Sequence, residues 1–524
     1  MTKALHALVT GASVLACAWG AAAPAHAQDR TTQWNYCANQ KAEFSADVQI
    51  GGCTALIQSG AETTNNLAIA LSNRGNAYSD KQEYDRALAD YNQAIKLNPD
   101  RADSYYNRGN AYYAKPDYDA AIADFAKTIA LEPQNADALG NLGLAYYMKG
   151  QTDLAIANYN KALAIRPHQL DFINRGNAYL KLKQNDLAIA DYDAALRIDP
   201  KNADTIANRG LAKYRKGDMD GAIADYTAAL AIRPDATDFS NRADAYLDKK
   251  DRARALADYT SAIGADAKHS NAYYGRGRML TDDDKFDAAI ADLSKVIELS
   301  PNFANGYHER AEAYRRKGDF DHALADETKA IELDPKSQFA YGGRGAVYLA
   351  KGDLTHARAE LDQALAIDPK YEFGLDQRRR LFQRLRDYPK AIADADAVAL
   401  LDPNYAGYQN SRCWVRALAG TQLDIARAAC DKALQLAPGD EDYLDSRGFV
   451  GLKQGKFADA FADYDAAAKR VAGKNNSNEA SFLYGRGLAQ IKLGKTAEGE
   501  ADIAAAAAKN KDIAATYAEN GVTR

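Results

Sequence analysis

The sequence has no surplus of positive charge and few prolines. Its 524 residues include 66 Lys and Arg against 71 Asp and Glu, a net charge of −5, with 36 Gly and 13 Pro. A nucleic-acid scaffold needs an excess of cations to neutralise phosphates, so we expect no nucleic-acid partner. At 47% apolar residues, the composition also excludes collagen and a disordered tail. Beyond the N-terminus no run approaches the ~18 apolar residues of a membrane-spanning helix, so we expect no stable membrane insertion.

Motifs that mark catalysis are missing as well. The sequence contains no G-x-x-x-x-G-K-[ST], H-E-x-x-H or G-x-S-x-G pattern. His322 and His356 lie in equivalent places of neighbouring segments and could share a metal, but solvated surface histidines are the simpler interpretation. Carboxylates are spread along the chain, so no general acid and base couple stands out. We therefore expect no enzyme, no catalytic residue, no metal and no cofactor. A hydrolase or transferase with an unrecognised site is an alternative.

The N-terminus resembles an export signal. Met1-Thr2-Lys3 gives a short positive start, residues 4–23 are almost wholly apolar or small, and Ala25-His26-Ala27 fits an A-x-A cleavage site. This pattern predicts a signal peptide over residues 1–27 and a periplasmic or secreted mature protein. A membrane anchor and lipoprotein processing at Cys17 are the alternatives.

A period of 34 residues runs through the rest of the chain. Prolines recur every 33 to 35 residues, and Ala267 stands in the one skipped slot; they are Pro99, Pro133, Pro167, Pro200, Pro234, Pro301, Pro335, Pro369, Pro403 and Pro438. Each period holds two segments whose apolar and small residues recur at three- and four-residue steps, which predicts two amphipathic helices. Such a pair cannot bury its apolar faces alone, so neighbouring pairs must stack.

In these features the chain resembles the tetratricopeptide repeat (TPR) family. With Ala102 as position 1, the repeat has Tyr105 at position 4, Gly109 at 8, Ala121 at 20, Phe125 at 24 and a proline at 32. Thirteen repeats fit this register; they start at 68, 102, 136, 169, 203, 236, 270, 304, 338, 372, 406, 441 and 480. The resemblance implies an all-α, right-handed solenoid over residues 68–511. Residues 28–67 are then a degenerate capping repeat, and residues 512–524 a short C-terminal capping helix.

Three departures from the register predict irregular stacking or a bend near residues 370–440 and 473–479. The repeat from 372 has Arg379 at the small position 8 and Pro389 early in its second helix. The repeat from 406 carries one extra residue, and residues 473–479 form an insertion before the last repeat.

Positions 7 and 23 carry matched charges. Position 7 is Arg in twelve repeats, and eleven of these have Asp or Glu at position 23; the exception, with Arg412, carries the extra residue. The repeat with Leu142 instead of Arg has neutral Asn158, so the two charges disappear together. We interpret these residues as structural ion pairs. The alternative is an arginine ladder that reads an acidic ligand.

Four cysteines remain after the predicted signal. Cys37 and Cys413 lie at position 8, and Cys53 and Cys430 at position 24 once the extra residue is discounted. Two pairs in the same cross-helix slot predict the disulfides Cys37–Cys53 and Cys413–Cys430; two buried pairs of free thiols are the alternative.

The resemblance places a binding surface on the first helices, chiefly at positions 2, 5, 6, 9, 12 and 13, here called the first-helix wall. Its first half is rich in amides: Asn73, Asn107, Asn141, Asn174, Asn208 and Asn241 at position 6, with Asn76, Asn110 and Asn177 at position 9. Its second half carries Arg278, Arg315, Arg316, Arg380 and Arg384. The amide row resembles the asparagine ladder in the TPR superhelix of O-linked N-acetylglucosamine transferase.

These residues predict a non-enzymatic scaffold in the cell envelope that binds extended protein or peptide segments through the groove lined by the first helices. A side-chain amide can bond both the N–H and the C=O of a peptide unit, and the arginines would favour acidic residues in the ligand. The alternative is an envelope-assembly or polysaccharide-export accessory factor that acts through its convex face or its ends. A purely structural role for the asparagine row is also open.

Overall fold

The computed structural model of the protein describes residues 25–474 and 476–524. These residues contain 29 α-helices and no strand, which confirms the all-α solenoid prediction. The predicted signal peptide lies almost wholly outside the described residues, and α1 begins at Ala25. The described chain divides into two compact units between Asp266 and Ala267, the slot where the proline period is skipped.

The first unit ends at Asp266 and is a series of antiparallel helical pairs. Its helices are α1 (Ala25–Ala38), α2 (Ala46–Gln58), α3 (Thr64–Asp80), α4 (Tyr84–Leu97), α5 (Ala102–Ala114), α6 (Tyr118–Leu131), α7 (Ala136–Met148), α8 (Thr152–Ile165), α9 (Gln169–Lys181), α10 (Asn185–Ile198), α11 (Ala203–Lys216), α12 (Met219–Ile232), α13 (Ala236–Asp248) and α14 (Arg252–Ala265). Each odd-numbered helix from α3 is the first helix of a repeat, and consecutive first helices contact one another.

The second unit, Ala267–Arg524, continues the same pattern within itself. Its helices are α15 (Ser270–Asp282), α16 (Phe286–Leu299), α17 (Ala304–Lys317), α18 (Phe320–Leu333), α19 (Gln338–Lys351), α20 (Leu354–Ile367), α21 (Glu372–Arg384), α22 (Tyr388–Leu401), α23 (Ala406–Ala419), α24 (Leu423–Leu436), α25 (Glu441–Gln454), α26 (Phe457–Val471), α27 (Glu479–Lys492), α28 (Thr496–Lys509) and α29 (Ile513–Glu519).

Contacts between positions 8, 20 and 24 bring the two helices of a repeat close together. Gly75 lies against Tyr91, and a Cβ added at Gly75 would come within 2.7 Å of that ring. Ala87 at position 20 is fully buried. The missing side chain therefore makes room for the large one, and a glycine at position 8 packs an aromatic at position 24 into the interior of the pair.

The turn inside each repeat has a fixed conformation. Position 15 adopts a left-handed backbone, as at Gly217 with φ of 91° and at Gln82 with φ of 61°. Position 16 then caps the second helix: the Asp218 side chain accepts a hydrogen bond from the Gly221 amide. A left-handed residue followed by an aspartate ends one helix and starts the next, so the pair turns back on itself.

The irregular repeat from 372 still forms a complete helical pair. Pro389 lies in the first turn of α22, where its missing N–H removes no helical hydrogen bond. Arg379 at position 8 is buried and donates to Asp376 and Gln383, while Ala395 replaces the aromatic at position 24. Large and small residues have exchanged places, so the contact between α21 and α22 is kept.

A second row of ion pairs joins neighbouring repeats at their exposed edge. Lysine at position 14 pairs with aspartate at position 18 of the preceding repeat, as in Lys317–Asp287 and Lys351–Asp321, both at 2.7 Å. The recurrence of lysine at position 14 and aspartate at position 18 is visible in the sequence, but we did not predict the pairing from it. Because both partners are exposed, each pair contributes only about 0–1 kcal/mol.

Candidate functional site

The arginines at position 7 form bidentate ion pairs inside their repeats. Arg175 donates from Nε and Nη2 to the two carboxylate oxygens of Asp191, at 2.8 and 2.6 Å. Hydrogen bonding to Asp191 raises the pKa of Arg175, although burial acts against it. Equivalent pairs join Arg74–Asp90, Arg108–Asp124, Arg209–Asp225, Arg242–Asp258, Arg276–Asp292, Arg310–Asp326, Arg378–Asp394, Arg447–Asp463 and Arg486–Asp502. Arg344 differs, because it donates to both carboxylate oxygens of Glu360 from Nη2 alone.

The remaining guanidinium nitrogen reaches the preceding repeat. Arg175 donates from Nη1 to Asn160 at 2.6 Å, and Arg209 donates in the same way to Asp193 at 2.6 Å. Both acceptors lie at position 25, one helical pair earlier. Each guanidinium therefore fastens its own repeat and links it to the previous one. With its nitrogens engaged in this way, the row acts as architecture and leaves little capacity to read an acidic ligand.

Two repeats lack the ion pair between positions 7 and 23. Where Leu142 replaces the arginine, the side chain of Asn158 donates to the backbone oxygen of Leu154 at 2.8 Å. Where Ala429 stands at position 23, Arg412 donates to Asp396 of the preceding repeat at 2.7 Å. An arginine thus stands at position 7 only where a carboxylate accepts its hydrogen bonds, either at position 23 of the same repeat or, for Arg412, at Asp396 of the preceding repeat.

Both predicted cysteine pairs lie at disulfide distance. The Cα atoms of Cys37 and Cys53 are 4.5 Å apart, and those of Cys413 and Cys430 are 5.3 Å apart. All four residues are fully buried. Each pair takes the place of the contact between a small residue at position 8 and an aromatic at position 24, where the two backbones approach most closely.

The asparagines at position 9 serve the interior of the first unit. Asn76 accepts a hydrogen bond from the hydroxyl of Tyr91 at 2.8 Å, and Asn177 accepts one from Tyr192 at 2.7 Å. Each of these tyrosines is the position 24 residue of the same repeat. Asn110 faces Phe125, which has no hydroxyl, and accepts from Asn141 instead at 2.9 Å.

Leucine at position 9 leaves the matching tyrosine without an acceptor. The hydroxyls of Tyr159 and Tyr226 are buried, and neither finds a hydrogen-bond partner within the described part of the chain. In these two repeats position 9 is Leu144 and Leu211. Position 9 therefore supplies acceptors for buried tyrosine hydroxyls, a role that position 6 does not share.

The asparagines at position 6 are half-buried along the first-helix wall. Asn141 donates to Asn110 and to the hydroxyl of Tyr106, at 2.9 and 3.1 Å. These contacts place position 6 of one repeat beside positions 5 and 9 of the repeat before it. The other five side-chain amides make no hydrogen bond to any described residue; they belong to Asn73, Asn107, Asn174, Asn208 and Asn241.

The arginines predicted to favour acidic ligands already have partners. Arg315 is bidentate to Glu312 at 2.6 and 2.7 Å. Arg384 donates to the backbone oxygen of Leu349 at 2.6 Å. The others bind carboxylates: Arg278 with Glu309, Arg316 with Asp284 and Arg380 with Asp376. The sequence showed the arginines but not which of the nearby acids each would reach.

The second unit contains a buried acid and base pair, Glu327 and His308, that we did not predict from the sequence. Glu327 stands at position 24, where other repeats have an aromatic, and its carboxylate lies 3.0 Å from His308 Nδ1. Burial raises the pKa of Glu327 to about 7. Burial lowers the pKa of His308, but the adjacent Glu327 outweighs this effect and raises it to about 9. A glutamate at position 24 was the signal in the sequence.

The histidines considered as a metal pair are engaged separately. His322 Nδ1 lies 2.8 Å from Asp319, and His356 Nδ1 lies 2.6 Å from Asp353. Within the described ranges no group of three or more His, Cys, Asp or Glu side chains is arranged to hold a metal ion. Over the same residues, none of the helices has the length and apolar character required to cross a membrane.

Stacked helical pairs with a fixed repeat register define a helical-repeat protein, and comparison with known proteins gives its family. Models described as tetratricopeptide or TPR repeats match residues 75–115, 109–150, 136–169, 176–217, 203–236, 240–302 and 308–372, together more than half of the chain. The chain belongs to the tetratricopeptide repeat family. Repeats of this family are typical of scaffolds for protein–protein interaction.

Several solved structures are similar to the chain. The APC/C hetero-tetramer Cut9-Hcn1 is 15% identical, with 87% of this chain and 90% of that one covered and a TM-score of 0.49. Yeast Tom70 is 18% identical, with 79% and 100% covered and a TM-score of 0.39. A tetratricopeptide repeat protein from Parabacteroides merdae is 20% identical, with 47% and 97% covered and a TM-score of 0.41. Among curated proteins, none matches this chain significantly.

Proposed function

We propose that the protein is a non-enzymatic scaffold that binds extended polypeptide segments along the first-helix wall of its first unit. The observation that carries this proposal is the row of position 6 asparagines. Five of the six side-chain amides have no hydrogen-bond partner among the described residues, although they are only half exposed. Each offers one acceptor and two donors in a surface otherwise satisfied by its own contacts.

The spacing of this row suits an extended chain. Packed helices lie about 8–10 Å apart, so successive asparagines on contacting first helices are separated by about that distance. An extended, polyproline-like chain advances about 3.1 Å per residue, or about 9 Å in three residues. One peptide unit in three would then meet an amide in the same orientation. Binding through backbone groups implies little preference for the ligand's side chains.

An oxidising compartment is part of the proposal. The two cysteine pairs at disulfide distance fit the periplasm or an extracellular location, where disulfides persist, and agree with the signal sequence predicted for residues 1–27. The partnered arginines do not contribute to the proposed recognition, so we assign binding to the amide row alone.

The test compares a triple variant of the full chain with a matched double variant. Replacement of Asn107, Asn174 and Asn208 by Ala removes three unpartnered amides. Since alanine favours a helix, this variant should keep its thermal melt. Its affinity for fluorescein-labelled, unstructured 15-residue peptides of shuffled sequence should fall about a hundredfold in fluorescence anisotropy, since each lost hydrogen bond contributes about 1 kcal/mol.

The matched control replaces two asparagines of position 9 and leaves Asn110, the partner of Asn141, unchanged. Asn76 and Asn177 accept hydrogen bonds from buried tyrosines, so their replacement by Ala should lower the melting temperature and leave peptide affinity unchanged. Peptides with N-methylated backbone amides should bind the unmodified chain weakly. Retained affinity in the position 6 variant, or equal binding of methylated peptides, would refute the amide row as the site.

A further inference from the structure

The C-terminal segment, residues 510–524, lies on the first helices of the last repeats. It contains α29, which contacts α27 and α28. Three of its apolar side chains are buried: Ile513 is 5% exposed, Tyr517 4% and Val522 9%. Most of the other residues in the segment are exposed. A few anchor residues on an otherwise solvated segment are typical of a docked peptide.

Tyr517 is the centre of this contact. Its hydroxyl donates to the backbone oxygen of Ser481 at 3.0 Å and lies 3.3 Å from the hydroxyl of Tyr464. Its ring packs at 5.5 Å from Phe449 on α25 and at 4.8 Å from Tyr484 on α27. The phenol therefore occupies a socket with aromatic sides and a polar floor.

The floor of the socket combines the fully buried Tyr464 with the partly buried Ser481 and Asp445. The side chain of Ser481 donates to Asp445 at 3.0 Å, and Tyr464 is 0% exposed. A site built to bond a hydroxyl rejects a phenylalanine ring, because its buried polar groups would be left without a partner. This arrangement selects tyrosine.

The segment occupies the same wall positions that carry asparagines in the first unit. Phe449 and Leu488 stand at position 9 and Tyr484 at position 5, and Val522 joins the apolar cluster that they form. Trp414, at position 9 of the repeat before, packs against Phe449 at 5.3 Å. The wall of the last three repeats is thus apolar and aromatic where the first unit is amide-rich.

An ion pair extends the contact back to the repeat from 372. Glu519 lies 2.8 Å from Arg386, a residue 133 positions earlier in the chain. Arg386 stands in the turn of its repeat, beyond the repeat that contains Trp414. The segment therefore runs across the wall, in addition to the contacts that α29 makes with α27 and α28 of the last repeat.

We propose that the first-helix wall of the repeats from 406, 441 and 480 is a second polypeptide-binding surface, held closed by the chain's own C-terminal segment. The partner it fits is a segment of another chain with the pattern Tyr-x-Glu-x-x-Val, as in Tyr517, Glu519 and Val522. Such a partner displaces residues 510–524 and fills the same socket. The site lies within the second unit and is independent of the asparagine row.

The test uses the full chain and a fluorescein-labelled peptide of residues 510–524. Tyr517→Ala with Val522→Ala frees the wall, so this variant should bind the peptide at least tenfold more tightly than the unmodified chain in anisotropy. Thr516→Ala, an exposed residue of the same segment, is the matched control and should behave like the unmodified chain. A peptide with Tyr517→Phe should bind the freed wall about tenfold more weakly, and Leu488→Arg in the freed chain should abolish binding.

Amide hydrogen exchange supplies a second measurement, which needs no variant. In the unmodified chain, residues 513–522 should exchange at least tenfold faster than α25, because the segment leaves the wall while the repeats stay folded. Exchange as slow as that of α25 would show a permanent part of the fold and overturn the proposal. A folded double variant that binds no peptide would overturn it as well. Asparagine variants of the first unit should leave all these results unchanged.

Discussion

Removal of one arginine at position 7 should cost very different amounts of stability in two nearly identical repeats. Arg175→Leu leaves the carboxylate of Asp191, which is 5% exposed, without a cation. Asp225 has the same exposure, but Arg209→Leu leaves it with Lys213, whose Nζ lies 2.8 Å away. The two buried carboxylates therefore differ in a second cation beside Asp225, and the arginines differ in the acceptor at position 25, which is Asn160 for Arg175 and Asp193 for Arg209.

The magnitudes follow from the contacts. A buried ion pair that loses one partner destabilises a protein by about 3–5 kcal/mol. The guanidinium of Arg175 is 19% exposed, so we expect the lower end, about 3 kcal/mol. For Arg209→Leu we expect about 1 kcal/mol, because Lys213 keeps the charge of Asp225 compensated when the two hydrogen bonds to Asp225 and the one to Asp193 are lost.

The repeat with Leu142 indicates which second substitution should restore the lost stability. There the same two positions are leucine and asparagine, so Arg175→Leu with Asp191→Asn should recover most of the lost stability. Urea unfolding followed by circular dichroism measures the global change. Because repeat arrays can unfold in parts, amide exchange of α9 and α10 should report the same order locally. Equal loss for Arg175→Leu and Arg209→Leu, or no recovery in the double variant, would refute the reasoning.

Three further outcomes are expected. Tyr226→Phe removes a buried hydroxyl that has no partner among the described residues, so stability should be unchanged or raised. Tyr192→Phe removes the hydrogen-bond donor to Asn177 and should cost about 1 kcal/mol of stability. Thermal melts that rank the two variants the other way would contradict this. Alkylation of the unfolded, unreduced mature protein should label none of the four cysteines of the two pairs, and free thiols would contradict the disulfides. Burial raises the pKa of Asp445 to about 7 in the folded protein, so the proton it retains stabilises the last repeats at low pH, and this stability should fall as pH rises from about 4 to about 7. Asp445→Asn should flatten that fall in pH-dependent melting, and an unchanged slope would contradict the assignment.

The repeat register was available from the sequence because each of its positions follows from local chemistry. Proline fixes φ and glycine permits a positive φ wherever they stand, and a helix shows its apolar face as a period of three and four residues. First helices accordingly begin at Ala102, Ala136 and Ala203, where the register placed repeat starts. The link between positions 7 and 23 was also readable, because one antiparallel turn fixes which residues face each other.

The sequence could not separate the asparagines of position 6 from those of position 9. Both are amides on the same helix face, and only the packed structure shows that Asn177 accepts a hydrogen bond from Tyr192 while Asn174 has no described partner. For the same reason, the sequence could not show that the arginines of the first-helix wall already have partners within the protein. A free cation and a paired one are identical in sequence, and acids such as Glu309 come within reach only when repeats stack.

The place of the C-terminal segment was decided by tertiary structure alone. By itself, the spacing of Tyr517 and Gly521 matches the start of a repeat, so the sequence predicted a cap. Its anchors are buried on helices that precede it in the chain, and the spacing of the segment itself does not indicate this. The sequence by itself determined the repeats, because their contacts lie within about 34 residues. Contacts such as Arg386 with Glu519, 133 residues apart, depend on how the stacked helices present their surfaces, and no local pattern encodes that.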